Sequence, residues 1–337
     1  MTYIKMPQYD IFIEKNGLLN LPKYIADVYT YHDIYIVTDE TVYELYGKKI
    51  ENILVTHKVF FVVVKPGEKS KSLDTYHQVV KELVQKGMRR NHLLIALGGG
   101  VVGDLTGFVA STIFRGVPFV QIPTTLLAQV DSSVGGKVGI DLEEGKNLVG
   151  SFYNPLFVLI DPEFLKTLSK REYANGLAEM IKAGLIGDKK LYHHLLSHDL
   201  VTEEEITMAI QVKRAVVLVD PYDKKERMFL NFGHTFGHAI EKKHHYESYK
   251  HGEAISYGML FALQVGIKYH ETKQELYDEV KELLLARGLV KEPLLKMEDY
   301  IREIQSDKKF LANGLNFIIV DRIGDAKIVP LKESDFL

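Results

Sequence analysis

The segment Gly98-Gly99-Gly100-Val101-Val102-Gly103-Asp104 directly follows an apolar run at residues 93–97. Three consecutive glycines after a strand leave a backbone without side chains, so a phosphate group can approach it closely. The spacing of Gly98, Gly100 and Gly103 also fits the G-x-G-x-x-G pattern, but that pattern alone fits a tight turn between a strand and a helix equally well. The segment therefore predicts a strand, a turn and a helix, and leaves phosphate binding open.

The residues that follow this turn favour nucleotide binding. Small, hydroxylated and basic residues return between apolar runs, at what we interpret as loop positions, in Arg115-Gly116, Pro123-Thr124-Thr125, Asp131-Ser132-Ser133-Val134-Gly135-Gly136-Lys137 and Gly145-Lys146-Asn147. Such residues suit a nucleotide together with a second phosphate group.

Composition narrows the class of protein and the kinds of site. The chain has 337 residues, of which 46% are apolar, enough for roughly two domains with substantial cores. Its net charge is −3, so it carries no overall basic field of the kind that nucleic-acid binding requires. It contains no cysteine, which excludes disulfides, thiolate nucleophiles and cysteine-bound zinc. Any metal ion must therefore bind to His, Asp or Glu.

Hydropathy gives no sign of a membrane or secretion segment. Residues 1–16 lack the apolar core of a signal peptide, and no apolar stretch approaches the roughly 20 residues that cross a bilayer. We therefore expect a soluble cytoplasmic protein with a small-molecule partner, and neither nucleic acid nor a membrane as partner.

Periodicity changes near the middle of the chain. Short apolar runs at 34–38, 60–64, 93–97, 119–122 and 157–160 predict strands, and helical spacing at 72–86 predicts a helix between two of them. This alternation predicts an α/β domain with a mostly parallel sheet. Beyond residue 162 we predict helices at 173–185, 203–219, 252–270 and 275–287, and a short strand or buried segment at 315–320. The expected domains are 1–163, a nucleotide-binding α/β domain, and 164–337, a mainly α-helical domain.

Polar residues recur at helical spacing in the second half. Arg227, Asn231, His234 and His238 lie at i, i+4, i+7 and i+11, which would form one polar stripe on a continuous helix, although Gly233 leaves the start of that helix open. A single histidine in such a pattern is more simply interpreted as a structural residue held by hydrogen bonds. Two histidines four residues apart beside an Asn and an Arg favour a site.

A third metal ligand must come from elsewhere, because the H-E-x-x-H pattern is absent. His251 lies seventeen residues after His234, and Glu179 lies three residues before Lys182 on a predicted helix. An ordinary ion pair within the helix also explains Glu179 and Lys182. Two histidines and a glutamate with an open position suit a catalytic zinc ion, which would ease loss of a proton from a bound hydroxyl and so help hydride leave the same carbon.

Other basic residues have simpler interpretations. Lys69 and Lys71 fit a solvated loop before a helix that Ser70 or Ser72 caps. Five further histidines are predicted to lie at the surface and receive no role, namely His193, His194, His198, His244 and His245.

Five motifs in order resemble the 3-dehydroquinate synthase family of sugar-phosphate cyclases, over residues 39–309. They are Gly98 to Asp104, Pro123 to Lys137, Gly145-Lys146-Asn147, Gly176-Leu177-Ala178-Glu179 and Asn231-Phe232-Gly233-His234-Thr235-Phe236-Gly237-His238. The resemblance implies a homodimer with a nucleotide-binding α/β domain, a helical domain for metal and substrate, NAD, and a divalent metal, usually Zn²⁺, with Co²⁺ as a substitute.

The resemblance also implies a lyase reaction of the shikimate pathway, which leads to chorismate and the aromatic amino acids. The substrate would be 3-deoxy-D-arabino-heptulosonate 7-phosphate and the products 3-dehydroquinate and phosphate. The implied steps are transient oxidation by NAD, elimination of phosphate, reduction, and intramolecular aldol closure.

The family's functional residues match positions of this chain one by one. The metal ligands fall on Glu179, His234 and His251. The NAD contacts fall on Asp39, Glu68, Lys71, Gly100, Val101, Val102, Gly103, Asp104, Thr124, Thr125, Lys137, Lys146, Phe164, Leu165, Lys166 and Thr167. The last four lie at the expected domain junction, which implies that the nicotinamide end reaches it.

The family's substrate and catalytic residues form a second set. Those mainly at the phosphate end are Lys137, Asn147, Lys182 and Arg115, and those mainly at the carboxylate end are Lys213, Arg227 and Asn231. The matching arginine of the family reaches the phosphate pocket of the neighbouring subunit. Asp131 and His238 match residues that orient groups or relay protons. In the motif Asp307-Lys308-Lys309, the sequence does not decide which lysine faces the site.

Three alternatives remain at this point. A metal-dependent polyol or alcohol dehydrogenase of related fold would release NADH and would not need Lys137, Lys182, Lys213 and Arg227. Another sugar-phosphate cyclase, acting on a substrate without a carboxylate, would not need Arg227 and Asn231. A nucleotide-binding module without catalytic activity would need neither the metal ligands nor two anion pockets.

Overall fold

The predicted apolar runs of the first half form the strands of one sheet. A computed structural model describes residues 1–223, 225–305 and 315–331, excluding the side chains of Gln305 and Leu315. Its first half contains, in chain order, β1 (Thr2–Lys5), β2 (Asp10–Ile13), α1 (Leu21–Ala26), β3 (Asp33–Asp39), α2 (Glu40–Ile53), β4 (Lys58–Val64), α3 (Leu73–Gln85), β5 (Leu93–Gly98), α4 (Gly100–Thr112), β6 (Phe119–Pro123), β7 (Lys137–Leu142), β8 (Gly145–Phe152) and β9 (Phe157–Ile160). Ser72 caps α3, as predicted, by accepting a hydrogen bond from the amide of Thr75.

Within the described residues, seven strands form a sheet in the order β1-β2-β9-β6-β5-β3-β4. Strand β1 pairs antiparallel with β2, and the other pairs are parallel, which confirms the mostly parallel sheet. Every residue of β5 is buried, because helices cover both faces of such a sheet. Strand β4 pairs with one side of β3, and the chain then crosses back to form β5 on the other side of β3. The carboxyl ends of β3 and β5 therefore border the crevice in which open α/β sheets bind ligands.

The glycine-rich segment forms the turn between β5 and α4. A Cβ atom on Gly98 would lie 2.6 Å from Cβ of Val102, and one on Gly100 would lie 3.0 Å from Oγ of Ser132. Glycine is thus needed for the close packing of strand on helix, which confirms the tight turn. Among the described residues, no side chain caps the first turn of α4. Its amide groups are therefore available to an anion.

The segment predicted as loops around Lys137 and Asn147 is instead a β-hairpin. Strands β7 and β8 pair antiparallel, with Lys137 opposite Phe152. A Cβ atom on Gly150 would lie 2.3 Å from the carbonyl oxygen of Val138, so the two strands approach more closely than other residues allow. Residues 133–136 are turn or irregular backbone, as predicted, whereas Lys137 and Gly145-Lys146-Asn147 lie in strands, so the loop prediction was wrong for these residues.

The second half is mainly helical, as predicted. Its elements are α5 (Lys170–Gly187), α6 (Lys189–Ser197), α7 (Glu203–Val219), α8 (His234–Lys243), α9 (His251–Tyr269), α10 (Gln274–Ala286), α11 (Ile301–Gln305), β10 (Leu315–Arg322) and β11 (Asp325–Leu331). The apolar run at 315–320 is a strand, and β10 and β11 form an antiparallel pair.

The polar stripe predicted on one helix is divided between two elements. Arg227 and Asn231 lie in a 3-10 helix, Glu226–Asn231, and α8 begins only at His234. Gly233 separates them with φ at 78°, a left-handed conformation. A Cβ atom there would also lie 2.7 Å from the carbonyl oxygen of Ile255 on α9. The chain therefore breaks at Gly233 so that α8 can pack against α9.

Two units of the chain are each compact, Met1–Leu168 and Ser169–Leu337. The domain assignment from the sequence, with its boundary after residue 163, stays a prediction. In the described part of the chain, no helix combines the length and the hydropathy needed to cross a membrane.

Candidate active site

Helix α5 carries a buried glutamate that faces two histidines. Oε1 of Glu179 lies 3.1 Å from Nε2 of His251 and 3.6 Å from Nε2 of His234. Its other carboxylate oxygen, Oε2, pairs with Nζ of Lys182 one turn along the helix. The side chains of Glu179 and Lys182 are only 3% and 4% exposed. The ion pair between Glu179 and Lys182, predicted as the simpler explanation, is thus present. The same glutamate also lies close to both histidines.

Each of these imidazoles has its other nitrogen beside an acceptor. Nδ1 of His234 lies 3.1 Å from the carbonyl oxygen of Phe232, and Nδ1 of His251 lies 3.7 Å from Oε1 of Glu241. An acceptor at Nδ1 favours the tautomer whose Nε2 lone pair is free for a metal. One donor atom each from Glu179, His234 and His251 lies within 4.8 Å of the other two. The arrangement fits two histidine ligands whose orientation Phe232 and Glu241 would fix.

The sequence interpretation missed Glu241, although a signal was available. Glu241 lies three residues after His238 and seven after His234, so it extends the polar stripe along α8. Its side chain is buried, which is rare for a glutamate unless it has a polar partner.

The backbone of α9 brings His251 to this site. Asn175, one turn before Glu179 on α5, accepts a 2.6 Å hydrogen bond from the amide of Gly252 through its side-chain oxygen. A Cβ atom on Gly252 would lie 2.3 Å from the carbonyl oxygen of Asn175. The first residue of α9 is therefore held against α5, where Glu179 lies. Asn175 is a second positioning residue that sequence interpretation missed.

Electrostatics in the site keep Glu179 ionised and His234 neutral, the forms that bind a metal, but leave His251 protonated at neutral pH. Burial alone would raise the pKa of Glu179, but Lys182 and the two histidines outweigh it and hold that pKa well below its usual range. Burial, helped by Lys182, holds the pKa of His234 well below its usual value. Burial would lower the pKa of His251 too, but hydrogen bonds to Glu179 and Glu241 raise it to about 9. Metal binding would thus release a proton from His251.

Three cationic side chains are buried in the same unit. Lys182 lies on α5, Lys213 on α7 and Arg227 in the 3-10 helix, and each is less than 9% exposed. Arg227 donates from Nη1 to the carbonyl oxygen of Pro221 at 3.0 Å. Asn231 and His238 are exposed, and the imidazole ring of His238 lies 5.4 Å from that of His234. Asp307, Lys308 and Lys309 lie outside the described residues.

A second network lies in the first unit and joins predicted NAD and substrate residues. Nζ of the buried Lys71 donates to Oδ2 of Asp104 at 2.6 Å and also to Oδ1 of Asn147. Burial would lower the pKa of Lys71, but Asp104 and Glu68 raise it, so the lysine is charged. Lys71 is therefore not the solvated loop residue predicted as the simpler case.

The hairpin β7–β8 is held to this lysine by its own backbone. The amide of Asp141 donates to the carbonyl oxygen of Lys71 at 2.8 Å, and Oδ1 of Asp141 accepts from the amide of Asn147 at 2.7 Å. Asn147 has φ at 57° and needs this support, since only a few non-glycine residues adopt the left-handed conformation. Lys146 is a further charge close to Glu68.

Residues at the carboxyl ends of the strands surround the glycine-rich turn. Asp39 ends β3 and caps α2 by accepting from the amide of Val42 at 3.0 Å. Thr124 follows β6, and its buried hydroxyl has no hydrogen-bond partner among the described residues. Thr125 accepts from the amide of Ala128 at 3.2 Å. An unsatisfied buried hydroxyl beside the turn is consistent with a site for a polar ligand.

The predicted NAD segment at 164–167 forms most of a 3-10 helix, Pro162–Thr167, within the first unit. The ring of Phe164 is buried edge-on against Tyr46, and the hydroxyl of Thr167 lies 2.7 Å from that of Tyr46. Leu165 is also buried, whereas Lys166 is exposed and pairs with Glu163.

The remaining predicted residues lie on turns and strand ends of the first unit. Arg115 is exposed and, like Phe114, has a left-handed backbone, with φ at 65° and 51°. Lys137 is exposed at the start of β7. Asp131 is half-buried in a π-helical turn, Ala128–Ser132. Left-handed backbone in two consecutive non-glycine residues is costly and is typical of functional turns.

Two family models match consecutive parts of the chain. The model described as 3-dehydroquinate synthase N-terminal matches residues 61–175, and the one described as 3-dehydroquinate synthase C-terminal matches residues 176–310. The chain belongs to the 3-dehydroquinate synthase family. A 3-dehydroquinate synthase from Clostridium botulinum is 43% identical to it over 332 residues, which are 96% of this chain and 95% of that relative.

Two solved structures of other synthases share the fold of this 3-dehydroquinate synthase family member. A 2-deoxy-scyllo-inosose synthase in complex with carbaglucose-6-phosphate, NAD⁺ and Co²⁺ has a TM-score of 0.88 at 24% identity, covering 99% of this chain and 98% of that one. A 2-epi-5-epi-valiolone synthase from Streptomyces hygroscopicus with NAD⁺ and Zn²⁺ bound has a TM-score of 0.85 at 26% identity, and the match covers 100% of this chain and 96% of that one.

Membership in the 3-dehydroquinate synthase family confirms the resemblance found in the five motifs. It makes the chain an enzyme of the shikimate pathway with 3-dehydroquinate synthase activity. The non-catalytic module and the dehydrogenase alternatives are therefore set aside. The roles of individual site residues stay predictions.

Proposed function

We propose that the enzyme converts 3-deoxy-D-arabino-heptulosonate 7-phosphate to 3-dehydroquinate and phosphate with NAD and a zinc ion as cofactors. The observation that carries this proposal is the convergence of Glu179, His234 and His251, with Nε2 of both histidines on one carboxylate oxygen. Relatives of the same fold bind NAD⁺ with Zn²⁺ or Co²⁺.

The donor set fits a catalytic zinc ion. One carboxylate and two imidazoles leave further coordination positions for substrate oxygens, and a bound zinc ion would lower the pKa of a hydroxyl group there. Phe232 and Glu241 hold the imidazoles in the orientation that such an ion needs. Co²⁺ suits the same set of ligands.

We place the NAD site in the first unit. NAD would accept a hydride from the substrate and return it within the same turnover. The uncapped amides of α4 and the buried hydroxyl of Thr124 suit its polar groups. We assign the same role to the NAD residues that the resemblance implies, including Asp39 at the end of β3 and Lys71 with Asp104 at the start of the hairpin network.

The substrate carries a phosphate and a carboxylate, and cationic side chains would bind each. We place the phosphate with Lys137, Asn147, Lys182 and Arg115, and the carboxylate with Lys213, Arg227 and Asn231. Burial of Lys182, Lys213 and Arg227 supports this assignment, because cations at low exposure interact strongly with anions. Asp131 and His238 would orient groups or relay protons.

We further propose a cytoplasmic homodimer in which Arg115 completes the phosphate pocket of the partner subunit. The exposed, left-handed turn at Phe114 and Arg115 supports this arrangement, since it holds an arginine and a large apolar side chain outward together. A guanidinium group can bind phosphate through two parallel hydrogen bonds.

Redox balance tests the proposed reaction. Phosphate release and absorbance of reduced nicotinamide are followed together, with the heptulosonate phosphate as substrate and NAD present in small amount. We expect phosphate release to exceed the NAD supplied many times over, with no accumulation of NADH, because the hydride is returned. Stoichiometric formation of NADH would instead indicate a dehydrogenase reaction and overturn the proposal.

A further inference from the structure

A second group of potential metal ligands lies on helices α6 and α7. His194 occupies the last turn of α6, His198 directly follows that helix, and Glu205 lies in the first turn of α7. One donor atom from each lies within 4.8 Å of the other two. This group shares no residue with Glu179, His234 and His251. Neither histidine has a role predicted from the sequence.

The carboxylate of this group is fixed with one oxygen toward the histidines. Oε2 of Glu205 accepts a 2.8 Å hydrogen bond from the amide of Thr202 and another from its hydroxyl. Oε1 lies 3.0 Å from Nδ1 of His194. The Glu205 side chain is only 7% exposed. Burial would raise the pKa of Glu205, but hydrogen bonds from Thr202 and His194 outweigh it and lower the pKa to about 2, so the group is ionised.

The segment that connects the two helices is also held in place. Nη2 of Arg287 on the end of α10 donates to the carbonyl oxygens of Leu195 and His198, at 2.8 Å each. The amide of Val201 donates to the hydroxyl of Tyr173 at 2.7 Å. The backbone of His198 therefore has a fixed position relative to α6. Binding of a metal ion by His198 would then cost little conformational entropy.

The two imidazole rings lie side by side. The ring centroids of His194 and His198 are 5.5 Å apart. Donor atoms of a tetrahedral zinc site lie about 3.4 Å apart, given metal–nitrogen bonds of about 2.1 Å. Nδ1 of His194 and Oε1 of Glu205 lie 3.0 Å apart, close to that spacing. Nδ1 of His198 lies 3.1 Å from the carbonyl oxygen of His194 and 3.1 Å from Oγ of Ser197, contacts that orient its ring at the end of α6.

We propose that His194, His198 and Glu205 form a second divalent-metal site, for zinc or a similar ion, that ties α6 to α7. Two imidazoles and one carboxylate suit zinc and cobalt and disfavour calcium or magnesium, which prefer oxygen ligands. The exposed side of the site leaves water as the remaining ligand. The site goes beyond the proposed catalytic reaction and requires none of its residues.

Cobalt titration of the full-length, metal-free enzyme tests the site. Four-coordinate Co²⁺ absorbs visible light, so each bound ion can be counted. We expect two ions per chain in the unaltered protein, one in His198→Gln and one in His251→Ala. In the His251→Ala protein, saturating Co²⁺ should still raise Tm by a few degrees, because the ion binds the folded state alone. Combining both substitutions should abolish binding.

His193→Gln is the matched control, since His193 is exposed on the same helix and lies outside the group. It should retain both ions. His194→Gln provides a second removal of a ligand, and circular dichroism establishes that each variant is folded. Binding of two ions by folded His198→Gln would overturn the second site. A single ion in the unaltered enzyme that His198→Gln loses and His251→Ala retains would instead support the second site and overturn the catalytic one. Loss of the ion in His251→Ala with retention in His198→Gln would leave the catalytic site standing alone.

Discussion

At the scale of single residues, the imidazoles of His234 and His251 each present Nε2 to Glu179. We predict that His251→Ala loses the catalytic zinc and activity together, because the two remaining ligands hold that ion poorly. His238→Ala should keep the catalytic zinc and slow turnover, since His238 is exposed beside the site. Metal analysis after dialysis, together with phosphate release, measures both. Full occupancy of the catalytic site in the His251 variant would remove that residue from the ligand set.

A second residue-scale prediction concerns Glu241. Glu241→Gln retains the shape of the side chain but removes the charge that lies 3.7 Å from Nδ1 of His251. We expect metal affinity at the catalytic site to fall roughly 10–100-fold, the usual effect of losing a partner of a metal-bound histidine. Competition with a chelator measures it. Glu247→Gln, an exposed change beyond the same helix, should leave affinity unaltered. Equal affinities for the two variants would contradict the role of Glu241.

The candidate ligands were predictable because they lie within or close to motifs that resemble those of the family. Glu179 and His251 are 72 positions apart in the chain, and spacing alone could not join them; the family motifs did. Glu241 and Asn175 escaped prediction because each acts on a ligand through a neighbour rather than on the metal. Glutamate and asparagine on helices are common, and only burial distinguishes these two.

At the scale of elements, Lys71 connects helix α4 to the hairpin β7–β8. We predict that Lys71→Met weakens NAD binding by tenfold or more and lowers Tm, because Asp104 loses its cationic partner and Asn147 loses a hydrogen-bond donor. Calorimetric titration with NAD and thermal denaturation measure the two effects. Lys69→Met alters an exposed lysine of the same segment and serves as the control. If both variants bound NAD alike, the network would have no role in cofactor binding.

The elements themselves were predictable to different degrees. Strands β5 and β9, and residues 34–37 of β3, form apolar runs because helices cover both faces of the sheet, and that pattern is distinctive. Strands β7 and β8 contain glycines that allow close backbone approach, and glycine in a sequence more often indicates a turn. Strands β1 and β2 have four residues each, too few to show a period.

At the scale of the whole molecule, the proposed homodimer makes a prediction about Arg115. Arg115→Ala should severely impair turnover, since loss of a buried charged contact costs about 2–5 kcal/mol. Mixing Arg115→Ala chains with Lys182→Ala chains should restore part of the activity. If Arg115 acts across the interface, one site of each mixed dimer carries both defects and the other is intact. Absence of recovery in confirmed mixed dimers would place Arg115 in the site of its own subunit.

Each unit of the chain holds a complete candidate set for one cofactor. All three candidate ligands of the catalytic metal belong to Ser169–Leu337, whereas the residues assigned to NAD belong to Met1–Leu168. A cell deprived of zinc would therefore be expected to accumulate enzyme that is inactive yet still loaded with dinucleotide. Such a reserve would regain activity as fast as the ion returns, with no new protein synthesis. Supply of the ion would then set the rate of this step of the pathway.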